Sequence, residues 1–284
     1  MRLLLCTKPD LTSVITLNTL LPRLGSHDVR VLVSAEAGTR LQAPEAEQIR
    51  FFERDLPFDL LFPLVDGSPS GSGRWRTLEG LRRQYGVSVD RTNCLANPMT
   101  LAGIAGFQPD LILSVGFDLL FGPEILKIPS LGTLNIHPGF LPRYAGLRAP
   151  LRALIDEEQR MGCTLHLVDH GITTGPIVAE DSVPITPDRS LHSYKVEIYL
   201  LGAQLFLDAL DSTIGGRPLT GVAQPESQRR ASTKAPDEQF RRLRELGIPA
   251  VKPADYCRLV QRFLPGDDEA LLPALSSLWA RSAA

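Results

Sequence analysis

Short apolar runs of strand length recur along this chain, each separated from the next by a segment of helical composition, and that alternation limits the fold more than any other feature. Residues 2–6, 28–34, 87–89, 111–115, 133–137, 162–168 and 177–184 read as strands. Between them, helical stretches are expected at 14–24, 43–51, 78–86, 97–107, 150–158 and 190–210. Asp10 or Thr12 offers an N-cap for the first helix and Ser190 for the last, which ends near Gly215-Gly216. The run Leu111-Ile112-Leu113-Ser114-Val115 is bounded by Pro109-Asp110 and Gly116 and suits a strand buried on both faces. Strands alternating with helices predict an α/β chain with a doubly wound, mostly parallel sheet and ligands beyond the carboxyl ends of its strands. That places a site at loops 115–122, 137–146 and 169–176. The Pro-, Gly- and Ser-rich stretch 57–72 reads as a surface loop. Beyond Arg217 the chain is punctuated by proline, with helices expected at 237–246 and 254–263, so a helical C-terminal appendage is expected.

Composition excludes several classes. Hydrophobic residues at 43% and charged residues at 22% are globular values. A net charge of −2 supplies no surplus of cations for a polyanion, so nucleic acid is not expected as a partner. No apolar stretch reaches the ~18 residues a membrane helix needs, and the run Leu3–Cys6 is too short for a signal peptide, so no membrane partner and a cytoplasmic location are expected. Cys6, Cys94, Cys163 and Cys257 are scattered without metal-ligand spacing. Cys6 and Cys163 lie in strand-like runs and read as small core hydrophobes, and no metal is expected.

Chemistry concentrates in Asn135-Ile136-His137-Pro138-Gly139-Phe140-Leu141-Pro142-Arg143-Tyr144-Ala145-Gly146. Strand alternation puts Asn135 and His137 on one face. The prolines and glycines that follow fix a rigid loop with close backbone approach. A second patterned stretch runs Gly162-x-Thr164-x-His166-x-x-Asp169-x-Gly171-Ile172-x-Thr174-Gly175-Pro176.

Together these stretches resemble the folate-dependent formyltransferase family, which includes glycinamide ribonucleotide transformylase, methionyl-tRNA formyltransferase and sugar-nucleotide N-formyltransferases. Within the first stretch only Gly139 departs from the family pattern, standing where Ser is commoner. The resemblance implies a Rossmann-like catalytic domain over 1–214, a helical extension over 215–284, and N10-formyltetrahydrofolate as formyl donor to an amine. It assigns Asn135 and His137 to the formyl group, where an amide donor and an imidazolium would stabilise a tetrahedral oxyanion. An imidazole of ordinary pKa, near ~6.5, would also pass a proton to the leaving nitrogen. By the same resemblance Gly116, Phe117, Leu119 and Phe121, with Asp169 and Gly171, bind the pterin. Thr173 stands where the family loop carries a catalytic Asp. A threonine hydroxyl holds water but carries no negative charge, so His170 or Asp169 is a candidate base in its place.

The purine enzyme's Gly-rich loop after the first strand is replaced by Thr7-Lys8-Pro9-Asp10-Leu11-Thr12, and the chain beyond Gly215 reads helical where the tRNA enzyme carries a basic barrel. A small-molecule amine or hydroxylamine is therefore the expected acceptor. The cluster Arg229, Arg230, Lys234, Arg241, Arg242 and Arg244 is interleaved with acids and reads as a solvated face. Two other readings stay open: an altered reaction such as hydrolysis of the formyl donor, and a folate-binding relative without turnover.

Overall fold

The computed structural model describes residues 1–35, 43–68, 72–229 and 235–264. β1 (Arg2–Thr7) leads into α1 (Leu11–Leu20), which Asp10 caps by accepting from the Ser13 N–H at 2.8 Å. β2 (Asp28–Ser34) precedes α2 (Pro44–Arg50). Two wider i→i+5 turns, Phe51–Asp55 and Pro57–Leu61, then carry the helix on to α3 (Phe62–Gly67). The surface loop expected from 57 is thus helix as far as Gly67. Pro57 and Pro63 lie inside this continuous run, next to the wider turns, and Leu61, Phe62 and Val65 are buried. Residues 69–71 of that expected loop lie outside the described residues.

The chain continues through α4 (Leu78–Tyr85), β3 (Ser88–Thr92), α5 (Pro98–Phe107), β4 (Leu111–Val115), α6 (Pro123–Leu126), β5 (Thr133–His137), α7 (Ala149–Ile155), β6 (Arg160–Leu167), β7 (Ile177–Pro184) and α8 (Leu191–Ile214). The seven strands form one sheet in the order β3-β2-β1-β4-β5-β6-β7. β1 to β5 pair in parallel, and β6 and β7 extend the sheet antiparallel. The expected α/β class and mostly parallel sheet hold. Strand order reverses between β1 and β4, where Thr7 pairs with Val115, so Lys8 and Gly116 leave the sheet side by side at the point where open α/β sheets bind ligands.

Alternation along β1 sends Leu3 and Leu5 to one core and Leu4 and Cys6 to the other. The second core is closed by Ile104 and Phe107 of α5 and Ile125 of α6. Cys6 and Cys163 are buried, as a core role requires, and burial pushes both thiols far above their ordinary pKa. α8 lies close on β5: a Cβ on Gly202 would come within 2.2 Å of Ile136 Cγ2.

The expected helical C-terminal region is present as α9 (Pro236–Glu245) and α10 (Pro253–Val260), and it packs onto the main core. Phe240, Leu243, Tyr256, Val260 and Phe263 share the main core with the strands. The Leu191 and His192 N–H groups donate to the Pro249 and Ala250 carbonyls, and the Gly73 and Trp75 N–H groups donate to Phe263 and Arg262. Arg230, Lys234 and residues 265–284 of the expected extension lie outside the described residues.

Candidate active site

A cavity of about 620 Å³ opens at the carboxyl ends of β1, β4 and β5. That size is ordinary for a small-molecule site. All ten residues named from the sequence line it: Asn135, His137, Thr173, His170, Gly116, Phe117, Leu119, Phe121, Asp169 and Gly171.

Asn135 and His137 point from one face of β5 while Ile136 faces α8. β6 runs antiparallel with Asn135 opposite His166, and Asn135 Nδ2 lies 3.0 Å from His166 Nε2. His166 Nδ1 lies 2.7 Å from the Leu167 carbonyl, an acceptor only, so Nδ1 carries the proton and Nε2 accepts from Asn135. The amide of Asn135 is thereby oriented. His166 belongs to the patterned stretch 162–176 but was given no task there, because its use depends on a cross-strand register that spacing does not show.

His137 is buried, and its Nε2 donates to the Tyr144 carbonyl at 2.8 Å. The tautomer follows: a neutral ring holds its lone pair on Nδ1. Burial lowers its pKa from 6.5 to about 4 and outweighs the carbonyl contact, with His166 and Arg152 lowering it further. The imidazolium expected from an ordinary histidine is therefore replaced by a neutral base at pH 7.

The loop after β5 is tightly built. A Cβ on Gly139 would sit 2.7 Å from Ala149 Cβ and 3.0 Å from Tyr144 Cβ, so the serine commoner at this position would force α7 away from the loop. Arg152, buried in α7, donates Nη1 to the Ala145 carbonyl at 2.6 Å and Nη2 to the Arg143 carbonyl at 3.3 Å. Thr173 has φ +54°, uncommon for a β-branched residue. Its hydroxyl accepts from the Gly146 N–H at 3.1 Å and donates to the Ile172 carbonyl at 2.7 Å, while its carbonyl accepts from Gln224 at 3.2 Å. The hydroxyl thus straps two loops together. Asp169 organises its own turn, accepting from the Gly171 N–H and the Thr174 hydroxyl. His170 is exposed, with no side-chain partner among the described residues.

A charged cluster that separation in sequence concealed adjoins the β1 end. Lys195 Nζ lies 3.1 Å from Asp10 Oδ2 and 3.0 Å from Glu53 Oε1. Glu53 also accepts from the Thr12 N–H and hydroxyl, and His192 Nε2 lies 2.9 Å from it, off hydrogen-bond geometry. Burial alone would raise Glu53, but Lys195 and His192 hold it well below the usual carboxylate range. Lys8 reaches Asp10 at 3.6 Å and Asp118 at 3.7 Å, tying the β1 loop to the β4 loop. Leu120, Leu147 and Ile172 are exposed apolar residues among those lining the cavity. No group of side chains suited to a metal ion occurs among the described residues.

A model of the formyl transferase family matches residues 90–210, the part of the chain that carries β4 to β7 and all ten site residues named from the sequence. This segment belongs to the formyl transferase family. The formyl transferase segment also anchors the similarity to whole proteins. The methionyl-tRNA formyltransferase of Trichlorobacter lovleyi is 34% identical over 149 residues, covering 52% of this chain and 46% of that protein. The chain spans about half the length of the curated relatives it matches. Among solved structures, glycinamide ribonucleotide transformylase 1 from Symbiobacterium toebii superposes with a TM-score of 0.53 at 19% identity, covering 79% of this chain and 94% of that one. A sugar N-formyltransferase from a Shewanella species gives a TM-score of 0.54 at 16% identity, covering 92% of this chain and 87% of that one. These likenesses establish the formyl transferase fold. No helix among the described residues is long and apolar enough to cross a membrane.

Proposed function

We propose that this cavity transfers a formyl group from N10-formyltetrahydrofolate to an amine of a small metabolite. One observation carries the reading: an oriented amide and a neutral imidazole with a free Nδ1 lone pair stand on the same face of β5 and line a single cavity. Asn135 Nδ2 gives one hydrogen to His166 and has a second to offer the formyl oxygen, where negative charge develops as the amine attacks. Such a donor is typically worth ~10²–10³ in rate. His137 Nδ1 accepts the proton the attacking amine sheds and returns it to the departing nitrogen, while the Tyr144 carbonyl keeps the other ring nitrogen protonated.

The cavity suits a pterin. Gly116, at φ +61°, brings bare backbone to the wall, and Phe117, Leu119 and Phe121 supply apolar cover, with the 169–173 turn opposite. The catalytic unit is placed in residues 1–214, with 215–284 as an extension whose Phe240 reaches the cavity. Thr173 holds the loop in shape, and proton movement rests on His137. A small acceptor is favoured over tRNA by the net charge of −2 and the cavity of about 620 Å³, although the curated relatives carry a tRNA enzyme's name.

Isothermal titration with 5-formyltetrahydrofolate, a stable donor analogue, tests the donor side. Saturable binding of one equivalent supports the reading. No binding at millimolar analogue, with the protein folded, removes it.

A further inference from the structure

Among the described residues three cations line the cavity, and one of them has no carboxylate partner there. Lys195 is bound by Asp10 and Glu53, and Lys8 by Asp10 and Asp118. Arg148, by contrast, has no carboxylate partner among the described residues. Its backbone is left-handed, with φ +56°, so the tight turn from Gly146 into α7 commits strain to this position. Its Nε donates at 3.2 Å to Oε1 of Gln239, a fully buried side chain of α9. That bond fixes the guanidinium plane, and neither Nη has an acceptor among the described residues. Burial lowers the Arg148 pKa, the direction expected of a cation with no neighbouring acid to offset it.

A guanidinium held by a neutral amide, with neither outer nitrogen bonded among the described residues and a cavity beside it, has the makings of an anion receptor. Arginine's fork matches a carboxylate or a phosphate in two parallel hydrogen bonds. Phe240, next to Gln239 on α9, also lines the cavity, whereas the donor's pterin is placed against segment 116–121 of the β4 loop. We propose that Arg148, oriented by Gln239, is a specificity-determining residue that reads a carboxylate or phosphate on the acceptor. The assignment to the acceptor rests on the formyl-transfer reading; the anion site itself does not. It also gives α9 a task, since the extension then builds the substrate wall through Gln239 and Phe240.

The test uses the full chain and two variants. Arg148→Met keeps the side chain's length and removes its charge. Gln239→Glu keeps the hydrogen bond and sets a carboxylate against the guanidinium. Inorganic phosphate, acetate and 5-formyltetrahydrofolate are titrated into each protein at constant ionic strength. The expected result is saturable binding of phosphate or acetate to the wild type, weakened roughly tenfold or more in both variants, with analogue affinity unchanged. Phosphate alone points to a phosphorylated amine; acetate binding points to an amine bearing a carboxylate. Equal anion binding in all three proteins, or none in the wild type, overturns the proposal. Weaker analogue binding in Arg148→Met overturns the acceptor assignment, because Arg148 would then read the donor's glutamyl carboxylates. Loss of analogue binding in every protein, with the anion result intact, removes the formyl-transfer reading alone and leaves Arg148 as an anion site.

Discussion

The chemistry turns on which nitrogen of His137 holds a proton. Enclosed at the end of β5, the ring can donate from Nε2 to the Tyr144 carbonyl only if that nitrogen stays protonated, and burial keeps a second proton off Nδ1. We predict that the His137 ring remains the neutral Nε2–H tautomer as pH falls from 7 until about 4, read by long-range ¹H–¹⁵N NMR. A transition near 6.5 would mean the ring is solvated. The sign for stability follows from the depressed pKa: the unfolded chain takes up this proton near 6.5 and the folded chain only near 4. The contribution is full above 6.5 and is lost as pH falls through about 4. At this scale Asn135 and His137 were legible from strand alternation and the turn that follows them. The depressed pKa was not, because it depends on burial by the 138–146 loop. Nor was the use of the Thr173 hydroxyl as a strap, since its partner Gly146 belongs to a different loop, 27 residues earlier in the chain.

Elements place these residues through close contact. α8 approaches β5 because Gly202 has no side chain, and a Cβ there would meet Ile136 Cγ2 at 2.2 Å and Cys163 Sγ at 3.0 Å. Ile136 lies between Asn135 and His137, so pressure on it displaces both. Gly202→Ala is expected to cost about 1–3 kcal/mol by overpacking, measured by urea unfolding, and to slow turnover as well. Unchanged stability would show that the helix can move away without cost. The bounds of β4, β5 and β7 were readable from apolar runs between turn residues, because a strand in a covered sheet needs little beyond its own sequence. The helix through 57–67 was not, because proline reads as a breaker, whereas here the run continues past Pro57 and Pro63 through wider turns and buries Leu61, Phe62 and Val65.

Across the whole molecule, the Glu53 cluster joins parts far apart in sequence: the β1 loop through Asp10 and Thr12, the wide turn through Glu53, and α8 through His192 and Lys195. Tyr256 of α10 packs edge-on to Phe52 and tilted against His192, with centroids at 4.8 and 5.8 Å, which brings the C-terminal helices into the same unit. Glu53→Gln leaves Lys195 short of a buried partner and is expected to cost roughly 3–5 kcal/mol in urea unfolding. Because the folded pKa of Glu53 is depressed, this difference is full above its ordinary value near ~4.3 and shrinks as pH falls toward the lowered value. A difference independent of pH would show that charge is not the cause. None of this was visible beforehand, since no local pattern links position 53 to position 195, and the C-terminal helices looked like an appendage while their buried partners lay elsewhere in the chain.

The most direct test of the whole account follows the transferred carbon. N10-formyltetrahydrofolate labelled with ¹³C in the formyl group is incubated with the full chain and a panel of small amines, and the label is followed by NMR. The account predicts an N-formyl product with at least one amine, formed more slowly by ~10² or more in a folded His137→Ala variant. Label appearing only as formate, at a rate independent of amine, would contradict it, as would a His137→Ala variant that keeps the wild-type rate.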